Sequence, residues 1–190
     1  MNVEEAISKR RAYRSLEPFE ITEQLIEDLA KSIQLAPSCF NNQPWRFVFV
    51  YEDKALKKMH TALTPANRWA KHASVIVAVF SRADYDCQLK ERDYFLFDTG
   101  MATAYLILRA TELDLVAHPI AGYSEDIVKD ILDIPEDMKV ITLVIVGKHS
   151  KEIADYLSEN QKERERKRPE RLPLKDFAYL NRYGTGLTMG

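Results

Sequence analysis

The sequence predicts a single layered domain of interleaved strands and helices, of the α+β or α/β class. Three observations carry that expectation. Val75-Ile-Val-Ala-Val-Phe80 and Val140-Ile-Thr-Leu-Val-Ile-Val146 are continuous apolar runs bounded by polar residues, the pattern of strands buried on both faces. Segments with helical apolar spacing lie between and around them. A length of 190 residues with a hydrophobic fraction of 46% suffices for one ample core.

Val3 and Ile7 mark a short first helix, with Arg10, Arg11 and Arg14 on it or just beyond it. Thr22 is the N-cap of a second helix, whose apolar stripe is Leu25, Ile26, Leu29, Ile33 and Ala36; Pro37 ends it. Residues 47–51 read as a strand and 54–63 as a short helix. After the strand at 75–80, residues 91–113 read as a long helix that is apolar on more than one face, through Phe95, Phe97, Met101, Tyr105 and Leu108. Such a helix is central to the core or covered in part by a second subunit. A short helix at 125–132 and a turn at Pro135 lead to the strand at 140–146. Residues 151–168 read as a charged helix, and 172–190 as a tail containing Tyr179, Tyr183 and three glycines.

Composition excludes several function classes. A net charge of −2 argues against a nucleic-acid protein held by global electrostatics. The run Lys162-Glu-Arg-Glu-Arg-Lys-Arg168 reads as a solvated helix face, its acids diluting any field a nucleic acid would feel. Cys39 and Cys87 form no CxxC pattern, which fits a reducing compartment and unpaired thiols, with Cys39 packed as a small hydrophobe. No apolar run is long enough to span a bilayer, and the N-terminus has no signal-peptide character, so the expected location is cytoplasmic, with no membrane partner. No GxGxxG or GxxxxGK[ST] occurs, and Ser38 lacks a GxSxG context. His60, His72, His118 and His149 have no ligand spacing, so no metal site is expected.

Three pieces carry chemistry. The loop Ala36-Pro-Ser-Cys-Phe-Asn-Asn-Gln-Pro-Trp45 gathers neutral hydrogen-bonding groups with no charge until Arg46, which suits a neutral planar ligand; an elaborate self-bonded turn accounts for it as well. Lys9-Arg-Arg-Ala-Tyr-Arg14 places three guanidiniums within five residues, enough to grip a phosphate dianion through forked, charge-assisted bonds. Arg10 and Arg14 would share a face if the first helix persisted to Arg14. In His118-Pro-Ile-Ala-Gly-Tyr123, read as a turn, Gly122 permits close backbone approach to a ligand edge.

With these pieces in this order, above all Pro-Ser-x-x-Asn-x-Gln-Pro-Trp, nearly the whole chain resembles the FMN-dependent nitroreductase family. The resemblance continues through the long helix after Asp98 to Pro119-Ile-Ala-Gly122 and ends at Arg171-Leu-Pro-Leu-Lys-Asp176. It implies an α+β, three-layer fold with a central mixed sheet flanked by helices, in an intertwined homodimer, with the tail from 168 to 190 wrapping the partner subunit. It also implies an FMN-dependent NAD(P)H oxidoreductase that passes hydride through flavin N5 to a nitroaromatic, quinone or related acceptor in a ping-pong cycle. No side chain is then needed as a catalytic acid or base. A flavin-binding or flavin-handling protein without NAD(P)H turnover is the alternative.

By the same resemblance Arg10, Arg11 and Arg14 hold the phosphate and ribityl chain, and Arg171 reaches the phosphate late in the chain. Pro37, Ser38, Cys39 and Asn41 support the flavin of the opposite subunit, with Gln43 in the same motif. Asn67 faces the isoalloxazine or ribityl group, and Ile120, Ala121 and Gly122 approach the N5 side through their backbone. Two departures stand out. Ala12 replaces a frequent Ser and loses a hydroxyl contact to the cofactor. Ala121 replaces a frequent acidic residue and keeps only a backbone contact.

Overall fold

The computed structural model describes residues 1–187, so the last three residues of the expected wrapping tail lie outside the described residues. Helix α1 (Val3–Lys9) opens with a capping box: the Asn2 side chain accepts from the Glu5 amide, and the Glu5 carboxylate accepts from the Asn2 amide. It stops at Lys9, and Arg10 is already non-helical. The expected helical face shared by Arg10 and Arg14 therefore does not exist. Strand β1 (Leu16–Glu17) is two residues long, and α2 (Glu23–Gln34) starts where the Thr22 hydroxyl accepts from the Leu25 amide. Then follow β2 (Arg46–Val50), α3 (Asp53–Met59), a 3-10 segment (Pro65–His72) and β3 (Val75–Ser81).

A small hairpin, β4 (Gln88–Leu89) and β5 (Arg92–Asp93), takes up the start of what reads in sequence as the long helix, so α4 runs only over Tyr94–Glu112. Next come β6 (Leu115–Ile120), α5 (Glu125–Leu132) and β7 (Lys139–His149). Helix α6 covers only Glu159–Arg166, less than half of the charged helix expected at 151–168.

β7 is the hub of the sheet. It pairs with β3 on one side and β6 on the other; β2 extends the sheet beyond β3, and β1 pairs with the end of β7. Every pairing is antiparallel, which corrects the expectation of a mixed sheet: among the described residues no strand has a parallel neighbour. Residues 118–120, expected as the start of a turn at 118–123, are the end of strand β6. Pro119 is tolerated there because, among the described residues, β6 pairs only with β7 and lies at the sheet edge.

Alternation along the central strands builds two cores. Val75, Val77, Val79, Val144 and Val146 face Leu29 and Ile33 of α2 and Ala102, Leu106 and Ala110 of α4. Ile76, Ala78, Leu143 and Ile145 face the opposite layer, with Leu56, Met59, Trp69 and Val128. Helices thus cover both faces of an antiparallel sheet, an α+β arrangement in three layers. The second apolar face of α4 stays open: Phe97 is 64% and Tyr105 40% exposed.

Candidate functional site

The arginine segment has no regular structure of its own, and α6 organises it. Buried Glu165 accepts from the Arg14 amide (2.8 Å) and the Ser15 amide (3.2 Å). Arg11 donates to the carbonyls of Arg164 (2.6 Å) and Glu165 (3.2 Å), the unpaired carbonyls at the end of α6, while its guanidinium lies 4.5 Å from the centroid of the Tyr13 ring. Arg168 donates to the carbonyls of Ser8 (2.5 Å) and Arg10 (3.0 Å). The acid that matters most here sits inside a charge run that reads in sequence as a solvated face. Alternating signs hide the one position that turns inward; the cue at hand was the Ser158–Gln161 capping box that fixes where α6 begins.

The guanidiniums expected to grip a phosphate divide into two groups. Arg11 is spent on α6. Arg10 and Arg14 remain half-buried; burial is the main cause that lowers the pKa of each, with the charges of Arg168 and Arg171 adding to it at Arg10. Glu165 opposes the shift at Arg14, and Arg164 adds to it. Among the described residues, none of Arg10, Arg14, Arg168 and Arg171 forms an ion pair with a carboxylate. Arginines stay protonated under such shifts. The result is a concentration of uncompensated positive charge that an anionic ligand would relieve.

The turn after β6 joins this region. The Gly122 carbonyl accepts from the Thr64 amide (3.1 Å), the Thr64 hydroxyl (3.0 Å) and Asn67 Nδ2 (3.1 Å). A Cβ on Gly122 would sit 2.5 Å from Asn67 Nδ2 and 2.6 Å from Thr64 Oγ1, so glycine is required by close approach. Asn67 Oδ1 accepts from Trp69 Nε1 (3.2 Å), so the Asn67 amide already braces this turn at both ends. Ile120 is buried and its carbonyl accepts from Thr142, while Ala121 is exposed.

His118 ties the turn to the arginines. Its Nδ1 meets the Tyr13 carbonyl at 3.1 Å, which requires the proton on Nδ1, and its ring packs against Trp69 with centroids 4.7 Å apart. The Arg14 guanidinium lies 5.7 Å from the Trp69 ring centroid. Burial pulls the His118 pKa down to about 4, the Tyr13 carbonyl opposing, with Arg14 and Arg10 lowering it further. The imidazole is neutral at pH 7. His118 opens one of the three pieces picked out in sequence, but its stack on Trp69 and its bond to the Tyr13 carbonyl come only from tertiary packing.

The neutral loop is built separately. Pro37 is exposed, Ser38 Oγ accepts from the Gln43 amide (2.9 Å), and the Asn41 carbonyl accepts from the Gln43 side chain (3.2 Å). Phe40, Asn41 and Gln43 all have positive φ, at 46°, 59° and 49°, and the Phe40 side chain is 92% exposed. This concentration of left-handed backbone is unusual for non-glycine residues.

Cys39 is not a free, packed thiol. It is disulfide-bonded to Cys87 across 48 residues, with the two Cα atoms 6.1 Å apart, and the described residues contain no free cysteine. The expectation of two reduced cysteines fails because nothing local connects them: the β3–β4 connection delivers Cys87 to the loop only in the folded chain. Asp86, Cys39 and Cys87 also form a group of potential metal ligands whose ligand atoms lie within 4.8 Å of one another. Among the described residues no helix is long and apolar enough to cross a membrane.

Known proteins share this architecture. The profile of the nitroreductase family matches residues 7–148. A protein of Archaeoglobus fulgidus named "Putative NADH dehydrogenase/NAD(P)H nitroreductase" is 30% identical over 145 residues, covering 74% of this chain and 82% of its own. A protein of the same name from Methanothermobacter thermautotrophicus is 26% identical over 182 residues, covering 93% and 88%. A solved structure described as an oxidoreductase containing FMN superposes with a TM-score of 0.83 at 28% identity, over 96% of this chain and 93% of that one. A protein from Exiguobacterium sibiricum 255-15 solved in complex with FMN gives a TM-score of 0.79 at 19% identity, over 95% and 98%, a likeness of fold.

Proposed function

This chain belongs to the nitroreductase family, and from that premise we propose that it is an FMN-dependent NAD(P)H oxidoreductase working as a homodimer. The observation that carries the reading is that half-buried Arg10, crowded by Arg168 and Arg171, and half-buried Arg14, beside Arg164, form no ion pair with a carboxylate among the described residues. Such a donor set fits a phosphate monoester dianion, the charged end of FMN. Arg10, Arg14 and Arg171 would hold that phosphate, with Arg168 bracing the Arg10 backbone. The Ile120-Ala-Gly122 backbone would approach the ring, and the loop bearing Pro37, Ser38, Cys39, Asn41 and Gln43 would close the site from the other subunit. Arg11 would contribute indirectly, by fixing α6.

Bound there, FMN supplies two-electron exchange between NAD(P)H and a nitroaromatic, quinone or related acceptor. The protein's part would be binding, orientation and electrostatics: the arginines would hold the phosphate, and the backbone of Ile120, Ala121 and Gly122 would orient the ring. His118, neutral and held by the Tyr13 carbonyl and Trp69, would position the site without adding charge to it.

An open apolar surface supports the dimer. A groove of about 530 Å³ is lined by Val3 and Ala6 of α1, Leu35 after α2, and Tyr105 and Leu108 of α4. Val3 is 71% and Leu35 77% exposed in the single chain. Burying such a face against a second copy would stabilise by roughly 25 cal/mol per Å² of apolar area.

The test is direct. FMN titration should show saturable, stoichiometric uptake, and the loaded protein should oxidise NADH or NADPH with a quinone or nitroaromatic acceptor. A protein that takes up no FMN and oxidises neither nucleotide sinks the reading. Tight FMN binding without turnover would assign a flavin-handling role in its place.

A further inference from the structure

Thr64 stands at the N-cap of the 3-10 segment Pro65–His72, yet its side chain caps nothing there. A threonine at such a position ordinarily turns its hydroxyl onto an amide of the first turn. The Thr64 hydroxyl donates instead to the Gly122 carbonyl, 58 residues along the chain, at 3.0 Å. The Thr64 amide donates to the same oxygen at 3.1 Å, and Asn67 Nδ2 joins them at 3.1 Å. A carbonyl oxygen has two lone pairs, so the third donor is more than its satisfaction requires.

The neighbouring peptide groups show what the surplus bond secures. The Ile120 carbonyl accepts from the Thr142 hydroxyl at 2.9 Å, and the Ala121 carbonyl from the Tyr123 amide at 3.2 Å. The carbonyls of Ile120, Ala121 and Gly122 are thus all turned onto protein donors. In a trans peptide the N–H points opposite to the carbonyl of the preceding residue. The amides of Ala121 and Gly122 are accordingly turned away from those donors, and among the described residues neither meets an acceptor. Ala121 is exposed and Gly122 only partly buried, so both amides lie within reach of a ligand. Successive free amides in a turn form a donor pair for an electron-rich atom. Their direction depends on Gly122, whose backbone has no Cβ to restrict it and is held by these hydrogen bonds.

We propose that Thr64 is a positioning residue of the flavin site: its hydroxyl holds the Gly122 carbonyl inward and so keeps the Ala121 and Gly122 amides aimed at the ring edge. The proposal rests on the FMN reading and adds to it the side chain that sets the direction of the donors. Thr64 acts through the Gly122 backbone and does not itself donate to the ring. Asn67 shares the carbonyl from a fixed body, since its Oδ1 accepts from Trp69 Nε1 at 3.2 Å.

The test uses the full chain loaded with FMN. Thr64→Val keeps the shape of the side chain and removes the hydroxyl. FMN affinity by fluorescence titration should fall roughly two- to tenfold, the worth of one hydrogen bond, and the visible absorption of the bound flavin should shift. Inorganic phosphate, titrated as a competitor of FMN, should bind wild type and variant within about twofold of each other, because the arginines are untouched. Thr64→Ser returns the donor and should recover both affinity and spectrum. Thr64→Ala is read in the same way where Thr64→Val does not fold. In labelled wild-type protein, saturating FMN should also move the amide resonances of Ala121 and Gly122.

A hydroxyl-free variant with wild-type affinity and spectrum overturns the proposal. So does one in which FMN and phosphate weaken together, a Ser variant no better than Val, or Ala121 and Gly122 resonances that FMN leaves in place. Wild-type protein that takes up no FMN removes the flavin reading and this proposal with it. Wild-type uptake beside an indifferent Val variant removes the proposal alone.

Discussion

The segment at residues 10–14 and the loop at residues 36–48 both lie between regular elements, yet opposite means hold them. The arginine segment is fixed by hydrogen bonds to distant residues: Glu165, 151 residues away from Arg14, takes the amides of Arg14 and of Ser15 just after it, Arg11 bonds carbonyls of α6, and Arg168 bonds the Arg10 carbonyl. Its remaining guanidiniums, those of Arg10 and Arg14, have no carboxylate partner among the described residues, Arg14 bonding only the Ala12 carbonyl. The loop holds itself through Ser38 and Gln43, has three non-glycine residues at positive φ, and is pinned outward by Cys87 and Asp98. The difference teaches how each can serve a ligand. A charged grip needs its backbone braced from elsewhere so that the side chains stay free, whereas a neutral contact surface is made of the backbone and must fix its own dihedrals.

The largest expected effect would break the charged half. Arg10→Ala combined with Arg14→Ala removes two charge-assisted contacts worth about 1.5–3 kcal/mol each, so FMN affinity should fall roughly 10²–10⁴-fold by fluorescence titration. The loop should be untouched, with Cys39–Cys87 still formed. Unchanged affinity would remove the arginines from the site.

Glu165→Ala should come next. It strands the buried amides of Arg14 and Ser15 and should cost about 2–4 kcal/mol in urea denaturation. FMN affinity should drop with it, because the arginines lose their brace. A variant that loses stability but binds FMN normally would show that the brace and the grip are independent.

Acid should act on the arginine half through His118. Its folded-state pKa of about 4 lies below the ordinary 6.5, so the unfolded chain binds a proton that the folded chain refuses. The contribution is complete above pH 6.5, declines as pH falls from 6.5 to 4, and amounts to about 3 kcal/mol over that window. His118→Asn keeps a donor toward the Tyr13 carbonyl and should flatten that part of the stability–pH curve. An identical curve would mean that His118 is not the group responsible.

The smallest effect belongs to the loop. Phe40→Gly relieves a left-handed backbone at φ 46° but frees the unfolded chain, so the two terms should leave a net gain of no more than about 1 kcal/mol in the isolated chain. A loss greater than about 1 kcal/mol would mean that the exposed ring is covered by a second copy.

Local rules in the sequence settled the parts governed by neighbours a few residues away. The Thr22 cap, the apolar runs of β3 and β7, and the α2 stripe are local, and each appears where its spacing puts it. The Pro-Ser-x-x-Asn-x-Gln-Pro-Trp loop and the arginine cluster were legible as candidate pieces of the proposed site, since residue type alone declares a neutral polar loop and a triple cation. Which arginine is free was not legible: Arg10, Arg11 and Arg14 look alike until α6 claims Arg11. Nor was the end of β6 at 118–120, because a proline and a glycine nearby imitate a turn, and only the place of β6 at the sheet edge among the described residues makes Pro119 acceptable. Tertiary structure alone decided the inward turn of Glu165, the stack of His118 on Trp69, and the union of Cys39 with Cys87 between Asp86 and Asp98. Each joins residues dozens to more than a hundred positions apart, and such contacts come from how the sheet and helices pack, which no local period or spacing encodes.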